Sequence, residues 1–198
     1  MPIVCLDMEG VLVPEIWIQV ARVTRIDALM ITTRDEPDYN KLMKFRLKTL
    51  RANRIRLADI QRVIATMNPL PGAKSFLDKL RARRQVIILS DTYYEFAAPL
   101  MKKLDFPTLF CNWLVTDSKG FIKNYVIRQK DGKRKAVTGL KNLGFTVYAA
   151  GDSYNDLTML READKGFLFN APTSIRRQCR DLKAVTEYAA LLKQLSGI

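Results

Sequence analysis

Short apolar runs that each break off at a carboxylate set the strongest limit on how this chain can fold. Ile3-Val4-Cys5-Leu6 runs into Asp7, with Glu9 and Gly10 just beyond. Val86-Ile87-Ile88-Leu89 runs into Ser90-Asp91, and Thr146-Val147-Tyr148-Ala149-Ala150 into Gly151-Asp152. A run this short, with no polar alternation, reads as a strand buried on both faces. Phe167-Leu168-Phe169 resembles the others. Helical patterns lie between these runs, at Ala73 to Arg83 and Phe96 to Leu104, and Thr92-x-x-Glu95 reads as a capping box opening the second. Strands alternating with helices predict an α/β fold, a parallel sheet covered by helices on both faces in three Rossmann-like layers.

From about Glu15 to Asn68 the rhythm changes. Ile16 to Arg22, Tyr39 to Arg51 and Leu57 to Met67 read as helices with no strand among them. Asp35-Glu36-Pro37-Asp38 separates the first two, and Asp38 is placed to cap the helix that follows. Asn68-Pro69-Leu70-Pro71-Gly72 ends the insertion and returns the chain to the sheet. The expected organisation is a core of residues 1–14 and 69–198, with a small helical cap, 15–68, inserted after the first strand. Asp117-Ser118-Lys119-Gly120, between strand-like runs from Trp113 to Ile127, predicts a short β-hairpin.

Ligands of an open parallel sheet sit beyond the carboxyl ends of its strands. Asp7 and Glu9, Ser90 and Asp91, and Asp152, Asn155 and Asp156 would converge there from distant parts of the sequence. Gathered acids repel one another unless a hard cation neutralises them, and oxygen donors suit Mg²⁺. The pattern fits phosphoryl transfer. A carboxylate can attack phosphorus in line. An acid two residues further on can protonate the leaving alkoxide and then deprotonate a water. Charge on the phosphoryl oxygens needs hydroxyl and cationic donors. Ser90 and a lysine near the start of the helix at Lys133 would supply them, with Lys130 and Lys135 as neighbouring alternatives.

Composition removes competing chemistries. Histidine is absent, which excludes Ser-His-Asp and Cys-His nucleophile systems and histidine-ligated metals. The cysteines, Cys5, Cys111 and Cys179, are far apart and without C-x-x-C spacing; they argue against a disulfide scaffold or zinc site and favour a reducing cytoplasm. No apolar run approaches the roughly 20 residues that span a bilayer, so no membrane partner is expected. Met1 to Leu6 reads as a first strand and not a signal peptide. The net charge is +13, and much of it lies in Lys41 to Arg62, where Lys41, Lys44, Arg46, Lys48, Arg51, Arg54, Arg56 and Arg62 face only Asp59. An anion-binding surface, for nucleic acid or a polyanionic phosphomonoester, is one reading and a solvated helical face the other. No nucleic-acid motif or aromatic interleaving accompanies the charge, so a solvated face is the expectation.

Asp7-Met8-Glu9-Gly10-Val11 resembles the first motif of the haloacid dehalogenase-like superfamily. Leu89-Ser90-Asp91-Thr92 resembles its second, Lys133 fits its third, and Gly151-Asp152-Ser153-Tyr154-Asn155-Asp156 its fourth. The likeness covers essentially the whole chain. Within the superfamily, Asp7 to Glu15, Leu89 to Thr92 and Ala149 to Asp156 are similar to the bifunctional phosphoserine phosphatase/homoserine phosphotransferase branch, which shares Glu9 where other phosphoserine phosphatases have Asp. The resemblance implies that Asp7 is the nucleophile and a Mg²⁺ ligand. It makes Glu9 the general acid/base, with its backbone carbonyl on the metal. Asp152 completes the metal site, and Asp156 is either a ligand or an orienting group. Ser90 and Lys133 would bind the phosphate, Asn155 would add a polar contact, and Asp91 counts among the substrate-binding residues. Glu15 matches the residue that meets a substrate ammonium, and Arg46 the arginine that pairs with its carboxylate, a task suited to a guanidinium fork. Phosphoserine is the implied substrate, water and homoserine both remain open as acceptors, and an oligomer is compatible with the family.

Overall fold

The structure, a computed structural model, describes residues 2–33, 35–36 and 38–197. Among the described residues one sheet holds seven strands in the order β4-β3-β2-β1-β5-β6-β7. They are β1 (Ile3–Leu6), β2 (Gln85–Tyr93), β3 (Thr108–Thr116), β4 (Ile122–Val126), β5 (Val147–Gly151), β6 (Lys165–Phe169) and β7 (Lys183–Val185). β1 lies at the centre, parallel to β2 and β5, and only the β3–β4 hairpin pairs antiparallel.

Alternation along the strands builds the three layers. Val4, Leu6, Val86, Ile88, Phe167 and Phe169 point to one face, into an apolar cluster shared with α4 (Ala73–Arg81), α5 (Tyr94–Lys103) and α9 (Tyr188–Ser196). Cys5, Leu89, Ala149 and Leu168 point to the other, against α6 (Gly132–Asn142), α7 (Leu157–Glu162) and α8 (Thr173–Gln178). The mixed α/β fold and the parallel central sheet are those expected from the sequence. β7, only three residues long, and α9 extend it beyond the elements expected.

Between β1 and α4 come α1 (Ile16–Thr24), α2 (Tyr39–Ala52) and α3 (Leu57–Thr66), with a 3₁₀ turn at Asp27–Met30. Asp38 caps α2 as expected, accepting from the N–H groups of Asn40 and Lys41 at 2.9 and 3.1 Å. Pro37 lies outside the described residues. Trp17, Val20, Met43, Ile60 and Ile64 of these helices join the apolar cluster on the α4–α5 face.

The β3–β4 hairpin reaches from the sheet to this helical segment. Leu57 N–H donates to the Gly120 carbonyl at 3.0 Å, Arg51 pairs with Asp117 at 2.6 Å, and the Arg51 guanidinium lies 4.4 Å from the Phe121 ring centre.

One local expectation fails. The Thr92-x-x-Glu95 box does not form: β2 runs on to Tyr93, which precedes α5 without a side-chain cap. The Glu95 carboxylate instead accepts from the Leu114 N–H at 2.9 Å, a tertiary partner that local spacing cannot announce. No helix among the described residues is long and apolar enough to cross a membrane.

Candidate active site

The strand ends converge as the sheet topology requires, because β2 and β5 flank β1. After β1 the chain makes one tight turn, with Leu12 N–H donating to the Met8 carbonyl at 2.8 Å and Gly10 N–H to the Val13 carbonyl at 2.8 Å. Gly10 takes φ +77°, and a Cβ there would lie 2.4 Å from Asp152 Cγ. Gly151 is constrained similarly, since its Cβ would lie 2.5 Å from Asp156 Cγ. Two glycines thus leave the space into which two carboxylates fit.

Asp7, Asp152 and Asp156 each bring a carboxylate oxygen within 4.8 Å of the others. Lys133, at the start of α6, is 5% exposed and donates to Asp7 Oδ1 at 2.8 Å and to Asp156 Oδ1 at 2.7 Å. Its neighbours Lys130 and Lys135 are exposed, so Lys133 is the lysine that reaches the acids. Asp156 is fully buried, and its Oδ2 accepts from the N–H groups of Asp152 and Ser153 and from Ser153 Oγ, at 3.1, 3.1 and 2.9 Å. It braces the turn that carries Asp152.

Burial and the neighbouring Asp156 raise the Asp7 carboxyl well above the usual range, against the pull of Lys133. Burial, then Asp156, pushes Asp152 up to about 7. Burial would lower the Lys133 ammonium, but Asp156 and Asp7 together hold it well above its ordinary value. A cluster of buried carboxylates held by one ammonium has capacity for further positive charge. With oxygen donors only, it fits a hard divalent cation such as Mg²⁺.

Glu9 faces another way. Its Oε2 accepts from the Ile16 N–H at 2.7 Å, so its carboxylate sits at the N-terminus of α1. Burial, with Glu15 beside it, pushes its carboxyl up to about 8. Ser90 is buried within β2, just past Leu89 where pairing with β3 becomes irregular, its Oγ accepting from the Thr92 N–H at 3.2 Å. Asp91 is half-exposed; its carboxylate lies 3.6 Å from Lys133 Nζ and accepts from Asn155 Nδ2 at 3.0 Å.

These groups share a cavity of about 340 Å³ with Glu15, Trp17, Tyr39 and Arg46 from the α1–α3 segment. All ten residues singled out from the sequence lie in or against it: nine line it, and Asp156 braces it from below. Arg46 departs from the solvated face expected of the basic stretch. It is 6% exposed on α2, whereas its basic neighbours from Lys41 to Arg62 are exposed. Its Nη2 donates to the Ile31 carbonyl at 2.7 Å and its guanidinium lies 4.5 Å from the Trp17 ring centre. Its Nε is buried without a partner, and no salt bridge joins it to a carboxylate among the described residues. Burial lowers its pKa, partly offset by Tyr39 and Glu9. Sequence reasoning missed the aromatic wall, in which the Tyr39 and Tyr93 hydroxyls meet at 2.6 Å.

A parallel sheet with acids and a buried lysine at its carboxyl edge defines a phosphoryl-transfer type of site, and comparison with known proteins agrees. The chain belongs to the haloacid dehalogenase-like hydrolases, whose family model matches residues 1–164. It is 55% identical over 98% of its length, and 95% of the relative's, to phosphoserine phosphatase ThrH of Pseudomonas aeruginosa. It is 54% identical over 97% of its length, and 81% of the relative's, to a phosphoserine phosphatase of Pseudomonas syringae pv. tomato. Its fold matches that of a phosphoserine phosphatase solved as a phospho-aspartyl intermediate analogue, with a TM-score of 0.79 at 16% identity over 98% of both chains. A phosphoserine phosphatase from T. onnurineus superposes with a TM-score of 0.71 at 22% identity, over 100% of this chain and 95% of that one.

Proposed function

We propose that this enzyme hydrolyses O-phospho-L-serine through a phospho-aspartate on Asp7, with Mg²⁺ held by Asp7, Asp152, the Glu9 carbonyl and the acid side of Asp156. The observation that carries the substrate reading is the buried guanidinium of Arg46, without a carboxylate partner among the described residues and facing the same small cavity as Asp7 and Lys133. An unpaired buried charge is costly unless a ligand completes it. The carboxylate of an amino-acid substrate would do so, and Glu15 on the same wall suits its ammonium. The names of the two Pseudomonas relatives point the same way. Residues 15–68 then act as a cap that reads the amino acid, while the sheet edge reads the phosphate.

The chain's own groups take these roles. Asp7 Oδ attacks phosphorus, forming an acyl phosphate as the P–O bond to serine breaks, and Glu9 gives its proton to the departing serine oxygen. Glu9 then takes a proton from the water that attacks phosphorus, releasing phosphate and regenerating the Asp7 carboxylate. Lys133, Ser90 and Asn155 hold the phosphoryl oxygens, and Asp91 orients Asn155. Mg²⁺, where bound by these acids, would supply charge neutralisation for the transfer. Homoserine in place of water in the second step would give phosphohomoserine, an activity proposed from the similarity of the motifs to the bifunctional branch.

Phosphate release over a panel of phosphomonoesters, with and without Mg²⁺ and homoserine, tests this. Phosphoserine should be preferred by a wide margin, and Asp7→Asn should abolish turnover. Phosphoserine handled no better than p-nitrophenyl phosphate would overturn the substrate assignment. Phosphohomoserine failing to form would limit the acceptor to water.

A further inference from the structure

We propose that Asn112 is a positioning residue that sets the spacing of the phosphoryl pocket. It lies on β3, outside the site, and is 6% exposed. Its Nδ2 donates to the Asp91 carbonyl at 2.9 Å, and its Oδ1 accepts from the Arg128 N–H at 3.0 Å. Those two backbone segments are the ones that matter. The first carries Ser90 and Asp91, and the second leads from β4 into α6 and Lys133.

The regular pairing of β2 with β3 is interrupted between Leu89 and Tyr93, so the Asp91 peptide falls where the ladder is irregular. The Asn112 amide supplies a hydrogen bond inside that gap. On its other side it fixes Arg128, in a stretch without strand or helix. A carboxamide is the side chain of this size that offers one donor and one acceptor at the same end. With its nitrogen and its oxygen each engaged by a backbone partner, it acts as a brace between the loops that bear the hydroxyl and the ammonium. Misplacement of such groups by about 1 Å costs catalysis heavily.

The proposal rests on the reading of Ser90 and Lys133 as phosphate ligands, and the experiment separates the two. Asn112→Leu removes both hydrogen bonds; the near-isosteric Asn112→Asp keeps the acceptor for Arg128 and loses the donor to Asp91. With p-nitrophenyl phosphate as reporter, inhibition by inorganic phosphate, KM, kcat and the Mg²⁺ activation constant are measured beside thermal melting. Both variants should weaken phosphate inhibition and raise KM, by about tenfold or more in Asn112→Leu. The Mg²⁺ constant should stay at the wild-type value, because Asp7 and Asp152 follow β1 and β5. A lower melting temperature with unchanged phosphate inhibition and KM in both variants would overturn the brace. Ser90→Ala, run in parallel, reports on the pocket: unchanged phosphate inhibition there would overturn the phosphate-ligand reading and the brace with it.

Discussion

Asp152 occupies the space that a side chain at Gly10 would need: a Cβ built on Gly10 would lie 2.4 Å from the Asp152 carboxylate carbon. The loop after the first strand and the turn after the fifth therefore have to be read as one object. Gly10→Ala should push Asp152 out of place and strain a backbone held at φ +77°, at a cost of about 1–3 kcal/mol. Mg²⁺-dependent phosphate release should fall at least about a hundredfold, as for other displaced catalytic groups. A melting scan beside the assay distinguishes this local effect from global unfolding.

The proposed role of Arg46 requires that it stabilise a bound carboxylate at the expense of the free protein. Arg46→Met should raise the melting temperature of the free protein, since an apolar chain replaces a guanidinium with an unsatisfied Nε. It should also raise KM for phosphoserine by about a hundredfold, the loss expected when one member of a buried charge pair is truncated. Turnover of p-nitrophenyl phosphate, which has no carboxylate to offer, should stay near the wild-type value. A parallel loss on both substrates would remove Arg46 from amino-acid recognition.

Lys133→Met strips from Asp7 and Asp156 the ammonium that pairs with both. Removing a partner from a buried ionic cluster costs about 3–5 kcal/mol, so the variant should melt well below the wild type at neutral pH. Acidification should restore part of that loss by protonating the stranded carboxylates. Turnover should fall about a thousandfold, in line with loss of a donor to developing phosphoryl charge.

The acids also predict a pH slope for the metal-free protein. Glu9 is pushed from 4.5 up to about 8, and Asp152 from 3.8 up to about 7, both chiefly by burial. Each group binds its proton more tightly folded than unfolded, so its stabilising contribution is complete below the unfolded pKa and is lost as pH rises through the folded one. In a chelator the melting temperature should therefore decline from about pH 4 to pH 8. Saturating Mg²⁺ should flatten that decline, because the cation favours the ionised carboxylates. A chelated protein that gains stability over the same interval would contradict the environment described for Glu9 and Asp152.

Much of this site was legible before any coordinates. Asp7, Asp91 and Asp152 announce themselves because a buried parallel strand is a plain apolar run, and the first polar residue after it marks the edge where ligands sit. Lys133 was narrowed by its place at a helix start, and burial separates it from Lys130 and Lys135. Other features depend on distant partners. Arg46 looks like its basic neighbours until α2 turns it towards Trp17 and the Ile31 carbonyl. Glu95 satisfies the spacing of a capping box, yet Leu114, nineteen positions on, takes its carboxylate. Asn112 carries no local signal, because its worth lies in two backbone groups that meet only when the sheet is assembled.

The hairpin gives the molecule one closed side. Its backbone bond from Leu57 to Gly120 and the Arg51–Asp117 pair fasten α2 and α3 to the far flank of the sheet. A clamshell swing about residues 15 and 68 would have to break both links. Ionic strength, by screening the exposed Arg51–Asp117 pair, then becomes a handle on how firmly that side is held, with the Leu57–Gly120 backbone bond left in place.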